Sequence, residues 1–193
     1  MYLTFSGILI NPANINPKDI NLIDIAHHLT NECRYGRALP FDLHYSVAEH
    51  SILLAEYVLD NFNDKELAKC ALMHDASEYI LGDIPTGLKA SLPDYKKLES
   101  DLMFKIYDKY DISVKYDSII SMYDKAILAN EVQVLTPERL FSFTHNGDIR
   151  AKLDIVHLAV NDGDYGEYTP GRVPKQVVYE CFLNMCELLG IKD

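Results

Sequence analysis

Histidines and carboxylates occupy positions in this chain where packing residues belong. His50 lies on a stripe with Leu53, Leu54, Tyr57 and Val58. His74 continues a stripe of Leu67, Cys70 and Ala71, with Asp75 and Glu78 beside it. Asp124 shares a third stripe with Ile120, Ile127, Leu128, Glu131 and Leu135. The i, i+3, i+4, i+7 spacing marks each as the core-facing side of a helix. A buried carboxylate without a partner costs several kcal/mol or is neutralised by a shift of its pKa. One shared divalent cation satisfies several such groups at once, and helical bundles build such sites from inward-facing side chains. Imidazole with carboxylate suits Zn, Mn, Fe or Co. Taken singly, each residue has a plainer explanation: a hydrogen-bonded core histidine for His50, an ion pair or a cap for Asp124. His74, Asp75 and Glu78, three and four positions apart, can line one cavity. Spacing alone leaves both explanations open and does not name the chemistry.

Helices must carry these groups, and the sequence supplies their boundaries. Ser46-Val47-Ala48-Glu49 reads as a capping box opening a helix to about Asp60. Asp64 caps a second helix, expected to run unbroken to Leu81 and stop at Gly82. Further helices are expected over 20–32, with Ile20, Ile23, Ala26 and His27 on one side, and over 93–110, 116–135 and 175–189. A short one is expected over 138–145. Residues 33–45 and 161–174 read as loops, and a short strand fits within Thr4–Ile10. The expected fold is all-α: one domain over 1–193 of six or seven helices around a buried metal site, with a core at 15–135 and a helical extension at 136–193.

Composition removes several function classes. The 193 residues carry a formal net charge of -11, which disfavours a nucleic-acid backbone as partner. A phosphate ligand in that field needs a cation or a local basic cluster. No stretch approaches the ~20 apolar residues of a membrane span, and no secretory leader is evident. Cys33, Cys70, Cys181 and Cys186 form no Cys-x-x-Cys pair and are expected to be free thiols in a reducing, cytoplasmic setting.

The order His50, His74-Asp75, Asp124 resembles the H…HD…D signature of HD-domain phosphohydrolases. The flanks carry the resemblance further. Tyr45-Ser46-Val47-Ala48-Glu49-His50-Ser51 is similar to the first ligand block. Met73-His74-Asp75-Ala76-Ser77-Glu78, with Gly82-Asp83-Ile84-Pro85-Thr86 and Lys89, is similar to the second. Tyr123-Asp124-Lys125-Ala126, with Glu131, is similar to the third. Asp24-Ile25-Ala26-His27 and Cys33-Arg34-Tyr35-Gly36 resemble the lead-in. The likeness covers about residues 15–135. It lies nearest the compact nucleotide hydrolases: bacterial HD-domain 5′-nucleotidases, phage dATP triphosphohydrolases and the phosphohydrolase of oxetanocin biosynthesis.

The resemblance implies one divalent ion (Co, Mn, Zn, Fe or Mg) held by His50, His74, Asp75 and Asp124. It implies that Glu78 and Asp83 act near the scissile phosphate or the sugar. Glu78 would orient or deprotonate the attacking water, or protonate the leaving oxygen. Arg34, Tyr35 and Lys89 would bind substrate, Arg34 and Lys89 at the phosphates and the Arg34-Tyr35 loop with Asp83 at the sugar and base. Each also has a structural reading: Glu78 as an ion-pair partner, Asp83 as a turn cap, Lys89 as a surface lysine, Tyr35 as core packing. His27 and His44 are expected to be structural or to sit behind the ligands; His28, Lys125 and Glu131 are given no role. His145 and His157 lie too late for the extra histidine pair of dinuclear relatives. The implied activity is hydrolysis of phosphate ester or anhydride bonds in (deoxy)nucleotides, mono- to triphosphates of an adenine-type nucleoside. Two alternatives stand beside it: a strict deoxynucleoside 5′-monophosphatase, and a nucleotide-binding regulatory module with an inactive site. A homodimer is the default assembly.

Overall fold

The computed structural model describes residues 1–37, 39–135 and 170–193. Helices α1 (Leu22–Asn31), α2 (Val47–Phe62), α3 (Lys65–Met73), α6 (Pro93–Lys109), α7 (Asp117–Leu135) and α8 (Lys175–Leu189) build the bundle. Two single turns, α4 (Glu78–Leu81) and α5 (Thr86–Lys89), lie between α3 and α6. The expected strand is a two-residue antiparallel hairpin, β1 (Tyr2–Leu3) against β2 (Leu9–Ile10). The all-α expectation holds. The expected helix over 138–145, with His145 and His157, lies outside the described residues, as does most of the 161–174 loop.

α2 is the central element and packs against α1, α3, α7 and α8. Every residue from Val47 to Ile52 is buried, so its first turns have no solvent face. Its N-terminus is half of the expected capping box. Ser46 Oγ accepts the Glu49 amide at 3.1 Å, but Glu49 does not reach back. Its Oε1 accepts the Gly171 amide at 3.0 Å, because burial of the whole first turn leaves the carboxylate facing the returning C-terminal segment. Three stripe assignments also shift. α1 buries Leu22, Ile25, Ala26 and Leu29 while Ile23 is exposed; these four make the complete i, i+3, i+4, i+7 set. Leu53 is half-buried and Leu128 exposed.

The helix expected to run from Asp64 to Leu81 breaks after Met73. Asp64 caps it as expected, accepting the Leu67 amide at 3.0 Å. The break has a local cause. His74 Nδ1–H donates to Ala71 O at 2.8 Å, the carbonyl that a continuing helix gives to the amide of Asp75. Ser77 N–H turns to the Met103 sulfur on α6 at 3.2 Å. Tighter i→i+3 bonds take over, from Ala76 N to Met73 O and from Glu78 N to Asp75 O, both 3.0 Å. The His74-Asp75 pair therefore sits on a turn, not on a helix face. No described helix is long and apolar enough to cross a membrane. All four cysteines are free, with Cys70 and Cys186 buried.

Candidate metal centre

The α2 stripe, the turn after α3 and the middle of α7 meet at one point. His50 Nε2 lies 3.3 Å from His74 Nε2 and 3.2 Å from Asp124 Oδ1. His74 Nε2 lies 4.0 Å from Asp124 Oδ1. Asp75 Oδ2 is 3.1 Å from His74 Nε2 and 4.0 Å from His50 Nε2. His50, His74 and Asp124 place one donor atom each within 4.8 Å of one another, and Asp75 adds a fourth oxygen at the edge. The histidines form the floor, with side chains 0% and 10% exposed, while Asp75 and Asp124 at 26% and 32% face the opening.

The protons of both imidazoles are fixed from behind. His74 Nδ1 has a backbone carbonyl as partner, so it must carry the hydrogen. His50 Nδ1 lies 2.5 Å from Glu131 Oε1 and donates to it. Both Nε2 lone pairs then face each other and the two aspartates. Two lone pairs and two carboxylates around one small space repel unless positive charge sits among them. Two nitrogens bound to one ion at about 2.0–2.1 Å lie roughly 3.0–3.4 Å apart, which the 3.3 Å separation matches. The residues present fit a divalent cation.

Glu131, given no role from sequence, is the hub behind this floor. It is 6% exposed. Oε1 accepts from His50 and, at 2.7 Å, from the Tyr45 hydroxyl. Oε2 accepts from the Tyr35 hydroxyl at 2.5 Å, with Arg34 Nε 3.6 Å away. Burial works against its charge, but His50 and Arg34 together with these bonds bring its pKa down to about 2. The signal was present in the sequence: Glu131 is i+7 from Asp124 on the same stripe. A carboxylate that fixes the tautomer of a ligating histidine is a recurrent part of metal sites.

Arg34 and Tyr35 close one side. The Arg34 guanidinium reaches Asp75 at 3.4 Å and Asp124 at 3.9 Å. Tyr35 holds a left-handed backbone, φ 66, uncommon for a residue with a Cβ, and its bond to Glu131 secures that conformation. Around this cluster the carboxylates outweigh Arg34. Burial and Arg34 oppose protonation of His50, yet Glu131 and Asp124 raise its pKa. Burial opposes that of His74, yet Asp75 and Asp124 raise it. The field favours positive charge at the centre.

Glu78 lies behind Asp75. It is 5% exposed; Oε1 accepts from Lys89 Nζ at 3.0 Å, and Oε2 is buried with no hydrogen-bond partner among the described residues. Burial first, then the charges of Asp75 and Asp83, push its pKa up to about 9 against the pull of Lys89. Lys89 also donates to Glu99 at 2.7 Å, a partner not foreseen from sequence. Asp83 is half-buried. Burial raises its pKa against Arg34, while Asp75 adds to the rise. Its amide donates to Glu32 Oε1 at 3.2 Å. His44 and His27 stand apart: His44 Nε2–H donates to Thr30 O at 2.9 Å, and His27 stacks on Phe5 with centroids 3.8 Å apart.

Comparison with known proteins agrees with this arrangement. The model of the family described as 5′-deoxynucleotidase YfbR-like matches residues 45–133, which include His50, His74, Asp75 and Asp124. Uncharacterized protein YfdR of Escherichia coli K12 is 39% identical over 128 residues, 66% of this chain and 68% of that protein. An uncharacterized protein of Rhodobacter capsulatus is 36% identical over 110 residues, 55% of this chain and 56% of that protein. The chain belongs to the YfbR-like family of the HD-domain superfamily.

Proposed function

We propose that this chain is a divalent-metal-dependent hydrolase of (deoxy)nucleotides that accepts mono- to triphosphates, an adenine-type nucleoside among them. The observation that carries the reading is the meeting of His50, His74, Asp75 and Asp124 with both Nδ1 hydrogens tied from behind. His50, His74, Asp75 and Asp124 would hold a divalent ion, which would supply Lewis acidity toward a phosphoryl oxygen and lower the pKa of a water. Arg34, already spanning Asp75 and Asp124, offers a planar pair of donors to two phosphate oxygens. Lys89 adds a second positive charge, and Tyr35 holds the Arg34 loop in place.

Glu78 is the proton carrier in this scheme. A carboxyl raised to about 9 keeps its proton near neutral pH, so it acts as general acid. Water oxygen bonds to phosphorus, the phosphorus–oxygen bond to the leaving group breaks, and the Glu78 proton passes to the departing oxygen. The water's own proton goes to solvent. Asp83, close enough for its charge to raise Glu78, helps hold that proton. A narrower reading, a strict deoxynucleoside 5′-monophosphatase, is favoured by the description of the matching family.

The test is a nucleotide panel on chelator-stripped protein with Co, Mn, Zn, Fe or Mg added, resolving orthophosphate, pyrophosphate and triphosphate. Orthophosphate from monophosphates alone selects the narrower reading. His74→Ala and Asp124→Ala should lose both metal and turnover. Glu78→Gln should keep its metal and lose roughly 10²–10⁴ in kcat. Full activity of His74→Ala in metal-depleted buffer refutes the scheme. Silence of the whole panel leaves the chain a nucleotide-binding module.

A further inference from the structure

The segment from Ser77 to Lys89 carries Glu78, Asp83 and Lys89, and one face of α6 holds it at three points. Tyr95, Glu99 and Met103 stand four residues apart on that helix, a spacing that lines them up on one side. Met103 Sδ accepts the Ser77 amide at 3.2 Å. The Tyr95 hydroxyl donates to Gly82 O at 3.0 Å. Glu99 Oε1 accepts from Lys89 Nζ at 2.7 Å.

The Glu99 contact differs from the other two, because it fixes a side chain instead of the backbone. Pro85, Thr86, Gly87, Leu88 and Ala90 are exposed, and Lys89 alone in this stretch turns inward. A lysine stem is flexible and its ammonium strongly hydrated, so an inward pose needs partners. Nζ lies between Glu78 Oε1 at 3.0 Å and Glu99 Oε1 at 2.7 Å, with the Tyr95 ring centroid 5.9 Å away. Burial works against the ammonium, but Glu78 and Glu99 raise its pKa, and it stays charged. An ammonium has three N–H donors; the two carboxyl groups take two of them and one is left. Glu99 gives the shorter bond, and among the described residues Lys89 is its ion-pair partner. Its effect on the site therefore passes through Lys89.

We infer that Glu99 is a positioning residue: it pins the Lys89 ammonium at the site so that the remaining N–H serves a phosphoryl oxygen. The inference rests on the reading of Lys89 as a phosphate-binding residue. The charge of Glu99 works the other way, since a carboxylate repels phosphate. The accepting oxygen holds the lysine, and substitution separates it from the charge. Glu99→Ala removes both, whereas Glu99→Gln keeps an oxygen for Nζ and removes only the charge.

The test is steady-state hydrolysis of dAMP by Mn²⁺-loaded protein in Glu99→Ala, Glu99→Gln, Lys89→Ala and the double variant with both alanines, with circular dichroism to establish folding. Glu99→Ala should raise KM roughly 10-fold, the scale of freeing one long side chain, and change kcat far less. Glu99→Gln should recover most of that loss. In the Lys89→Ala background, Glu99→Ala should add less than about twofold. An unchanged or lower KM in Glu99→Ala, a Glu99→Gln variant no better than Glu99→Ala, or full additivity with Lys89→Ala overturns the inference. Calorimetric binding of inorganic phosphate to the same proteins calls for no turnover. Affinity that falls in Glu99→Ala, yet is the same in Lys89→Ala and the double variant, supports the inference even if no nucleotide is hydrolysed, in which case the hydrolase reading alone fails. Equal phosphate affinity in wild type and Glu99→Ala, beside active phosphate release, removes the positioning role and keeps the hydrolase.

Discussion

Replacing Glu131 with glutamine tests whether the metal floor is built from behind. Glutamine keeps an oxygen for His50 Nδ1–H but removes the charge from that bond, and it puts an NH₂ where Oε2 accepts from the Tyr35 hydroxyl, so that hydroxyl must turn round to accept. Its amide NH₂ also faces Arg34 Nε, 3.6 Å from the present oxygen, donor against donor. Charge-assisted hydrogen bonds are about twice as strong as neutral ones, so each bond loses on the order of 1 kcal/mol. The His50 bond acts directly on the basicity and aim of its Nε2. Loss of a carboxylate behind a ligating histidine typically costs 10- to 100-fold in metal affinity, or about 1.4–2.7 kcal/mol. The assay is competition titration of Mn²⁺ or Co²⁺ into stripped protein, with circular dichroism to establish that the variant is folded. Tyr35→Phe is the control: it removes the loop arm and leaves the Glu131–His50 bond, so its metal affinity should stay within about threefold of wild type. Wild-type affinity in a folded Glu131→Gln variant would refute the reasoning.

Two further outcomes follow from the same structure. Metal-free protein should lose stability as pH rises from about 4.5, the ordinary value for glutamate, toward the folded value of about 9 for Glu78. Across that window the folded chain holds a proton that the unfolded chain has released, a slope of up to about 1.4 kcal/mol per pH unit. Glu78→Gln should flatten the decline in denaturant titrations; parallel curves sink the idea. Gly171→Ala should destabilise by roughly 1–3 kcal/mol. Gly171 has φ +74, and an added Cβ would stand 3.3 Å from Tyr45 N; thermal melts that match wild type argue against that close approach.

The meeting of His50 with Asp124 was legible because its logic is local. A polar residue on an apolar helical stripe needs a partner, and these two lie on such stripes of α2 and α7; His74 and Asp75 were singled out by the same argument, although the structure puts them on a turn. What stayed hidden depends on contacts distant in sequence. Nothing near Met73 announces a helix break: there is no glycine or proline, and the cause lies in a side chain turning on Ala71 O and a sulfur arriving from α6. Glu131 sat in plain view on its stripe, but its partners come from α2 and from the two loop tyrosines. Glu49 was given a local partner when a distant one, Gly171, claims it.

The turn that carries His74 and Asp75 has a consequence for the life of the chain. Its histidine is 24 residues from His50, and Asp124 lies farther on, so a cation bound there would clip together three segments that the backbone joins only through long excursions. Binding energy at such a clip is folding energy. At a free-metal level 100 times the dissociation constant it adds about 2.7 kcal/mol to stability. Scarcity of the ion would therefore act on the amount of protein as well as on its rate. The loosened chain opens more often, meets proteases more often, and its steady-state abundance falls several-fold.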